Sequence, residues 1–177
     1  LAVLDRHPSA LQSIDAAVTP YSKSKGLVWN KAQEVAAEKG LALSKVVIPS
    51  PYGPLENEDR MIPTLISRSR AHEAFSLMAP LAVSDQIPIR ALAAVYFDLA
   101  GELLNGQARI ARPSGRVVTN EEWIKEVQNE LIQIRLGLSP CSIDTSKVSQ
   151  GAKNLCNPEA EKVNFDSSKE WDFYAQA

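Results

Sequence analysis

Cysteine and histidine are scarce. Cys141, Cys156, His7 and His72 are all that the 177 residues contain. Two cysteines make neither a disulfide framework nor a four-cysteine metal site, so they are read as reduced thiols of a cytoplasmic protein. The two histidines lie far apart without HExxH spacing, and no metal is expected. Charge of one sign is not in excess: 19 basic and 21 acidic side chains leave a net charge of −2. A general nucleic-acid binder would be strongly basic, so no nucleic acid is expected as a partner. No apolar run approaches the ~18–20 residues of a membrane span, so no membrane association is expected. Leu1-Ala-Val-Leu4 precedes the charges of Asp5 and Arg6 and is too short for a signal-peptide core. There is no initiator Met, so the chain is expected to be processed or a piece of something longer. Eight glycines form neither GxGxxG nor GxxxxGK[ST]. If the architecture binds a nucleotide, the turn that cradles its phosphates is not among these residues.

What is there reads as one domain or a large part of one, at roughly 150 residues per domain. Hydrophobic residues at 45% and charged residues at 23% form an ordinary globular mixture. Pro20 suits a first helical turn, since its missing N–H has no partner there. A helix is predicted from there to about Lys39, closed by Gly40, with Val28, Trp29, Ala32, Val35 and Ala36 at a spacing of three to four. Leu41 to Ile48 reads as a buried strand, broken by Pro49-Ser50-Pro51-Tyr52-Gly53-Pro54. Glu56-Asn57-Glu58-Asp59 reads as a solvated loop leading into a helix over Met61 to His72.

A short strand over 74–78 follows, then an apolar stretch at 87–89. The next helix, from about Arg90 to Leu104, has a wide stripe of Ala91, Leu92, Val95, Tyr96, Leu99 and Leu103. Asn105-Gly106 ends it, and 108–111 is a further short strand. Thr119-Asn120-Glu121-Glu122 has the form of a capping box, opening a helix with Trp123, Val127, Leu131 and Ile134 inside and Gly137 at its end. The last forty residues predict a loose tail pinned by Trp171, Phe173 and Tyr174. Strands alternating with amphipathic helices indicate an α/β class.

The pattern most suggestive of chemistry is Tyr21-Ser22-Lys23-Ser24-Lys25. Tyr21 and Lys25 are four apart at a helix start and share a face. Free tyrosine, with a pKa near ~10, is a poor base at neutrality, and an adjacent ammonium favours its phenolate. Such a pair can pass a proton to or from a substrate hydroxyl or carbonyl. On spacing alone, an exposed helix start is the better explanation.

The order of features adds context. A Tyr-x-x-x-Lys helix, a buried strand, Tyr52-Gly53-Pro54 and then Met61-Ile62-Pro63 resemble the carboxy-terminal half of the extended short-chain dehydrogenase/reductase family. These are the NAD-dependent epimerases and dehydratases of sugar nucleotides. The resemblance covers roughly residues 18–137. Ser84-Asp85-Gln86-Ile87-Pro88-Ile89 stands where many members have Arg-Asp-x-Ile-His-Val.

The resemblance implies the carboxy-terminal part of a Rossmann-like parallel sheet plus a small α/β substrate-binding domain, without the glycine-rich first half. Residues 1–54 would be the Rossmann-like part, with 82–104 returning to it. Residues 55–81 and 105–177 would be the substrate-binding part and tail. It implies Tyr21 as acid/base, Lys25 as its activator and ribose ligand, and Ser9 as the candidate third catalytic residue. Ser50 would contact cofactor and substrate, and Tyr52 and Arg60 the substrate. The cofactor would be NAD(H) or NADP(H), bound only with the missing amino-terminal half. The substrate would be a nucleoside diphosphate sugar, and a homodimer would form through the Tyr-Lys helix. Arg68, Arg70, Arg109, Arg112 and Arg116 are further candidates for a diphosphate. The altered motif residues keep a second reading open, a non-catalytic remnant or scaffold subunit of the same ancestry.

Overall fold

The computed structural model describes residues 20–148 and 159–176. The chain forms two compact units. Among the described residues, unit 1 comprises 20–51, 85–116 and 159–164, and unit 2 comprises 52–84, 117–148 and 165–176. The elements are α/β, with parallel strand pairs in both units.

In unit 1, helix α1 (Pro20–Lys39) starts at proline and ends where Gly40 adopts φ +61°. Leu41 N–H then reaches back to the Ala36 carbonyl at 2.8 Å, the pattern of a left-handed cap. Its apolar spacing buries only one edge: Ala36 is buried, whereas Leu27 and Val28 are exposed. Strand β1 (Lys45–Val46) is shorter than the apolar run predicts and pairs in parallel with β5 (Ile110–Ala111). Helix α3 (Ile89–Leu104) buries Ala91, Leu92 and Leu99. Tyr96, expected in its buried stripe, is 45% exposed. The helix is apolar nearly all round, so periodicity overstates the arc that packs. Strands β6 (Pro113–Ser114) and β9 (Glu161–Lys162) pair in parallel.

In unit 2, helix α2 (Met61–Ala71) is closed by His72 in the left-handed conformation, φ 55°. Strand β3 (Phe75–Ser76) pairs in parallel with β8 (Ile143–Asp144). Helix α4 (Asn120–Glu126) opens with the predicted capping box. Thr119 Oγ1 accepts from Glu122 N–H at 3.2 Å, and Glu122 Oε2 accepts from Thr119 N–H at 2.9 Å. The helix continues as a π-helical segment, Val127–Gln133. Those wider turns shift the register, so Ile132 is fully buried and Ile134, predicted inside, is 63% exposed.

The predicted loose tail is instead partly regular. Helix α5 (Ser167–Ala175) is capped by Asp166, whose carboxylate accepts from Ser168 and Lys169 N–H. Arg135 ties it down, donating to Asp172 Oδ1 at 2.7 Å, Ser168 Oγ at 2.9 Å and Glu130 Oε2 at 3.1 Å. Trp171 and Tyr174 then enter the core of unit 2 beside Tyr52, Ile62, Leu65, Trp123, Val127 and Leu131.

Strands β2 (Ser50–Tyr52), β4 (Val83–Pro88) and β7 (Arg116–Thr119) form a three-stranded sheet in the order β2-β4-β7.

Candidate functional site

Tyr21 and Lys25 occupy the first turns of α1, where Pro20 starts the helix. The four-residue spacing brings Lys25 Nζ to 5.2 Å from the Tyr21 ring centroid. Such a contact at an exposed site is worth about 0.5–1 kcal/mol. Tyr21 is 49% exposed, and Ser24 Oγ donates to its carbonyl at 2.8 Å, fixing the turn but leaving the phenol available. Ser50, also in unit 1, begins β2 and is half-buried. Ser9 lies outside the described residues.

Tyr52 and Arg60 belong to unit 2. Tyr52 is buried, its ring 4.9 Å from Trp123 in an edge contact and 5.1 Å from Trp171 in a stack. Those centroid separations are optimal for aromatic pairs, so the ring anchors the end of β2 in the core. Arg60 precedes the first turn of α2, and its Nε lies 3.6 Å from Glu56 Oε2.

Three of the remaining arginine candidates, Arg68, Arg109 and Arg112, are paired with carboxylates. Arg109 donates to both oxygens of Glu102, at 2.6 and 3.2 Å, and to Glu161 at 3.4 Å. Arg112 Nε lies 3.5 Å from Glu159. Arg68 pairs with Glu73. Arg70 faces an open cleft of about 880 Å3 between the 55–58 loop, the outer side of α2 and Tyr174. Within the stretch compared with Arg-Asp-x-Ile-His-Val, Ser84 is buried and donates to Asn120 Oδ1 at 3.3 Å.

Two carboxylates escape sequence reasoning. Asp85 is 1% exposed, yet it accepts from Gly115 N–H at 2.8 Å and from the Ser114 hydroxyl. Burial raises its pKa above the ordinary aspartate value, and those two hydrogen bonds restrain the rise. Glu56, expected on a solvated loop, turns inward instead. Its side chain is 12% exposed and accepts from Gly53 N–H at 3.1 Å. Burial raises its pKa, while Gly53, Arg60 and Tyr174 oppose the shift. Tyr174 is held above the usual phenol range by its own burial and by the Glu56 charge. Nothing in the 56–59 acidic run distinguishes Glu56. Only the three-dimensional closure of the turn on Gly53 does. Among the described residues no three His, Cys, Asp or Glu side chains cluster as a metal would require. No described helix is long and apolar enough to cross a membrane.

No protein-family profile matches the chain, and no curated protein matches it. Solved structures do. The UDP-N-acetylglucosamine 4-epimerase of Methanobrevibacter ruminantium, in complex with UDP-N-acetylmuramic acid, superimposes with a TM-score of 0.71 at 15% identity, over 99% of this chain and 59% of that one. The NAD complex of Thermus thermophilus UDP-glucose 4-epimerase gives 0.68 at 16% identity, over 99% and 60%. The dTDP-glucose 4,6-dehydratase of Bacillus anthracis, in complex with NAD, gives 0.65 at 16%, over 89% and 51%. This is the Rossmann-like fold of the NAD-dependent sugar-nucleotide epimerases and dehydratases. The chain spans between half and three fifths of the length of these three solved proteins.

Proposed function

We propose that this chain is the acid–base portion of an NAD-dependent epimerase, dehydratase or reductase acting on a nucleoside diphosphate sugar. The observation that carries the reading is the Tyr21–Lys25 contact at the start of α1, in a chain with the fold of proteins solved with NAD and UDP-sugars. Tyr21 exchanges the proton of a sugar hydroxyl. Lys25, whose ammonium lies 5.2 Å from the Tyr21 ring centroid, is its proposed activator and donates hydrogen bonds to a ribose. NAD, when bound, would supply the acceptor for a hydride from the sugar carbon. The residues here fit only its nicotinamide end, because the glycine turn for its phosphates is not in this sequence. Ser50 would serve cofactor and substrate, and Arg60 the substrate's charge. A second copy packing against Leu27 and Val28 of α1 would complete a homodimer.

The test is turnover of UDP-glucose by the natural polypeptide that contains these residues. Tyr21→Phe is expected to lower kcat about 10²–10⁴-fold, the usual contribution of general acid–base catalysis, with UDP-glucose binding preserved. Unchanged turnover in the variant would sink the reading. A second reading, a scaffold of the same ancestry, is favoured by the carboxylates that occupy Arg109 and Arg112. Saturable NAD(H) binding by the natural polypeptide would count against the scaffold.

A further inference from the structure

We infer that Glu56 is a positioning residue: with Tyr174 as its partner, it holds both the Tyr52-Gly53-Pro54 loop and the Arg60 guanidinium in place. The inference rests on the functional reading above and deepens it, because that loop and Arg60 are its proposed substrate contacts in unit 2.

The argument begins with a backbone that needs support. Leu55 adopts φ +63°, a left-handed conformation that is unfavourable for a residue other than glycine. Its side chain is 93% exposed, so no packing of its own offsets the cost. The neighbouring interactions must fix the turn instead. Gly53 N–H donates to Glu56 Oε1 at 3.1 Å, closing a four-residue turn across Pro54 and Leu55. The other oxygen, Oε2, lies 3.6 Å from Arg60 Nε. One carboxylate thus grips the backbone after Tyr52 and the side chain that precedes α2.

Asn57, Glu58 and Asp59 beside it are less deeply placed, while the Glu56 side chain is 12% exposed. A carboxylate turned inward costs several kcal/mol unless hydrogen bonds compensate. Here Gly53 N–H supplies the hydrogen bond, the Arg60 guanidinium supplies opposite charge, and Tyr174 lines the same cleft as Glu56. Tyr174 is itself buried, its ring 6.4 Å from Trp171. Helix α5, the last element of the chain, therefore sets the geometry of a loop far upstream. The far side of Arg60 is fixed independently, with its N–H on the Asn57 carbonyl at 2.9 Å and its carbonyl accepting from Thr64 Oγ1 at 2.8 Å. Removing Glu56 should consequently release the 53–56 turn and the guanidinium while leaving α2 in place.

Hydrogen–deuterium exchange on the full chain tests this, comparing Glu56→Ala, Glu56→Gln and Tyr174→Phe with the wild type. Glutamine keeps an oxygen that can accept from Gly53, so it is the rescuing variant. Glu56→Ala is expected to raise exchange in peptides spanning 50–57 about tenfold, the equivalent of one lost charge-assisted hydrogen bond. Tyr174→Phe, which keeps the ring in the core, is expected to raise it less. Glu56→Gln is expected to stay near wild type, and the α2 and α4 peptides should be unchanged in all three. Unaltered 50–57 exchange in both Glu56→Ala and Tyr174→Phe overturns the inference. So does a Glu56→Gln protein as unprotected as Glu56→Ala. Calorimetric titration of the natural polypeptide with UDP-glucose separates this from the functional reading. Weaker binding in Glu56→Ala, restored in Glu56→Gln, supports both. Absence of binding by the wild type defeats the functional reading, and the exchange data still decide the role of Glu56.

Discussion

The two units are held together by different physics. Unit 2 has a contiguous aromatic and aliphatic core. Tyr52, Trp123, Trp171 and Tyr174 pack ring against ring, over Leu65, Val127, Leu131 and Ile132, which are fully buried. Unit 1 buries mainly smaller residues, among them Ala36, Val47, Ala91 and Ala111, and leaves Leu27, Val28, Phe97 and Leu104 in solvent. Its order leans on polar ties: Asp85 to Gly115, Arg109 to Glu102 and Glu161, and Arg112 to Glu159. The residues proposed for proton transfer sit in unit 1, and those proposed to hold the loop and Arg60 sit in unit 2, which has the aromatic core. Hydrophobic burial sets stability, so unit 2 should resist denaturant longer than unit 1.

Substitutions can break that contrast. The largest effect is expected from Trp171→Ala, which empties the centre of the aromatic group at a cost of about 3–5 kcal/mol. It should erase the near-ultraviolet circular dichroism of unit 2 and reverse the order in which the units unfold. Next comes Gly115→Ala. An added Cβ would overlap the Gln86 carbonyl and lie 2.9 Å from Ile87 Cα, both backbone atoms that cannot swing aside. A loss of at least about 1–3 kcal/mol is expected, read in the melting of unit 1 with unit 2 unaffected.

The smallest effect belongs to Asp85→Asn, and its sign is the informative part. Burial raises the Asp85 pKa in the folded state, so the fold prefers the protonated acid. Its stabilising contribution is present below the ordinary aspartate value and is lost as pH rises through the raised one. Asparagine stays neutral and still offers Gly115 an oxygen. The variant should match wild type within about 1 kcal/mol near neutrality and depend less on pH in the mildly acidic range. Urea titrations at several pH values check this, and a steeper pH dependence in the variant would contradict the assignment.

Much of the fold is legible in the sequence because its signals are local. Pro20 and Gly40 mark the ends of α1, and Thr119 and Glu122 spell out a capping box. The alternation of strands with helices gives the α/β class, and the order of motifs gives the resemblance that the solved structures bear out as a fold. The misreadings have non-local causes. The π-helical segment exchanges Ile134 for Ile132 in the core, a shift that a regular period cannot register. Helix α5 hides in a polar tail, although Asp166-Ser167-Ser168 is an amino-terminal cap and Trp171 and Tyr174 are three apart. Within the candidate site, Tyr21 and Lys25 are visible because four residues on a helix suffice to join them. Glu56 is not, because its partners Gly53, Arg60 and Tyr174 come from a turn, a helix start and the end of the chain.

The most direct test of the central claim is a single-turnover measurement of NADH absorbance. The natural polypeptide, loaded with NAD, is mixed with excess UDP-glucose, and the same is done with Tyr21→Phe. The account predicts transient NADH absorbance in the wild type, formed about 10²–10⁴-fold more slowly in the variant. No NADH in the wild type, or equal rates in the two proteins, would contradict it.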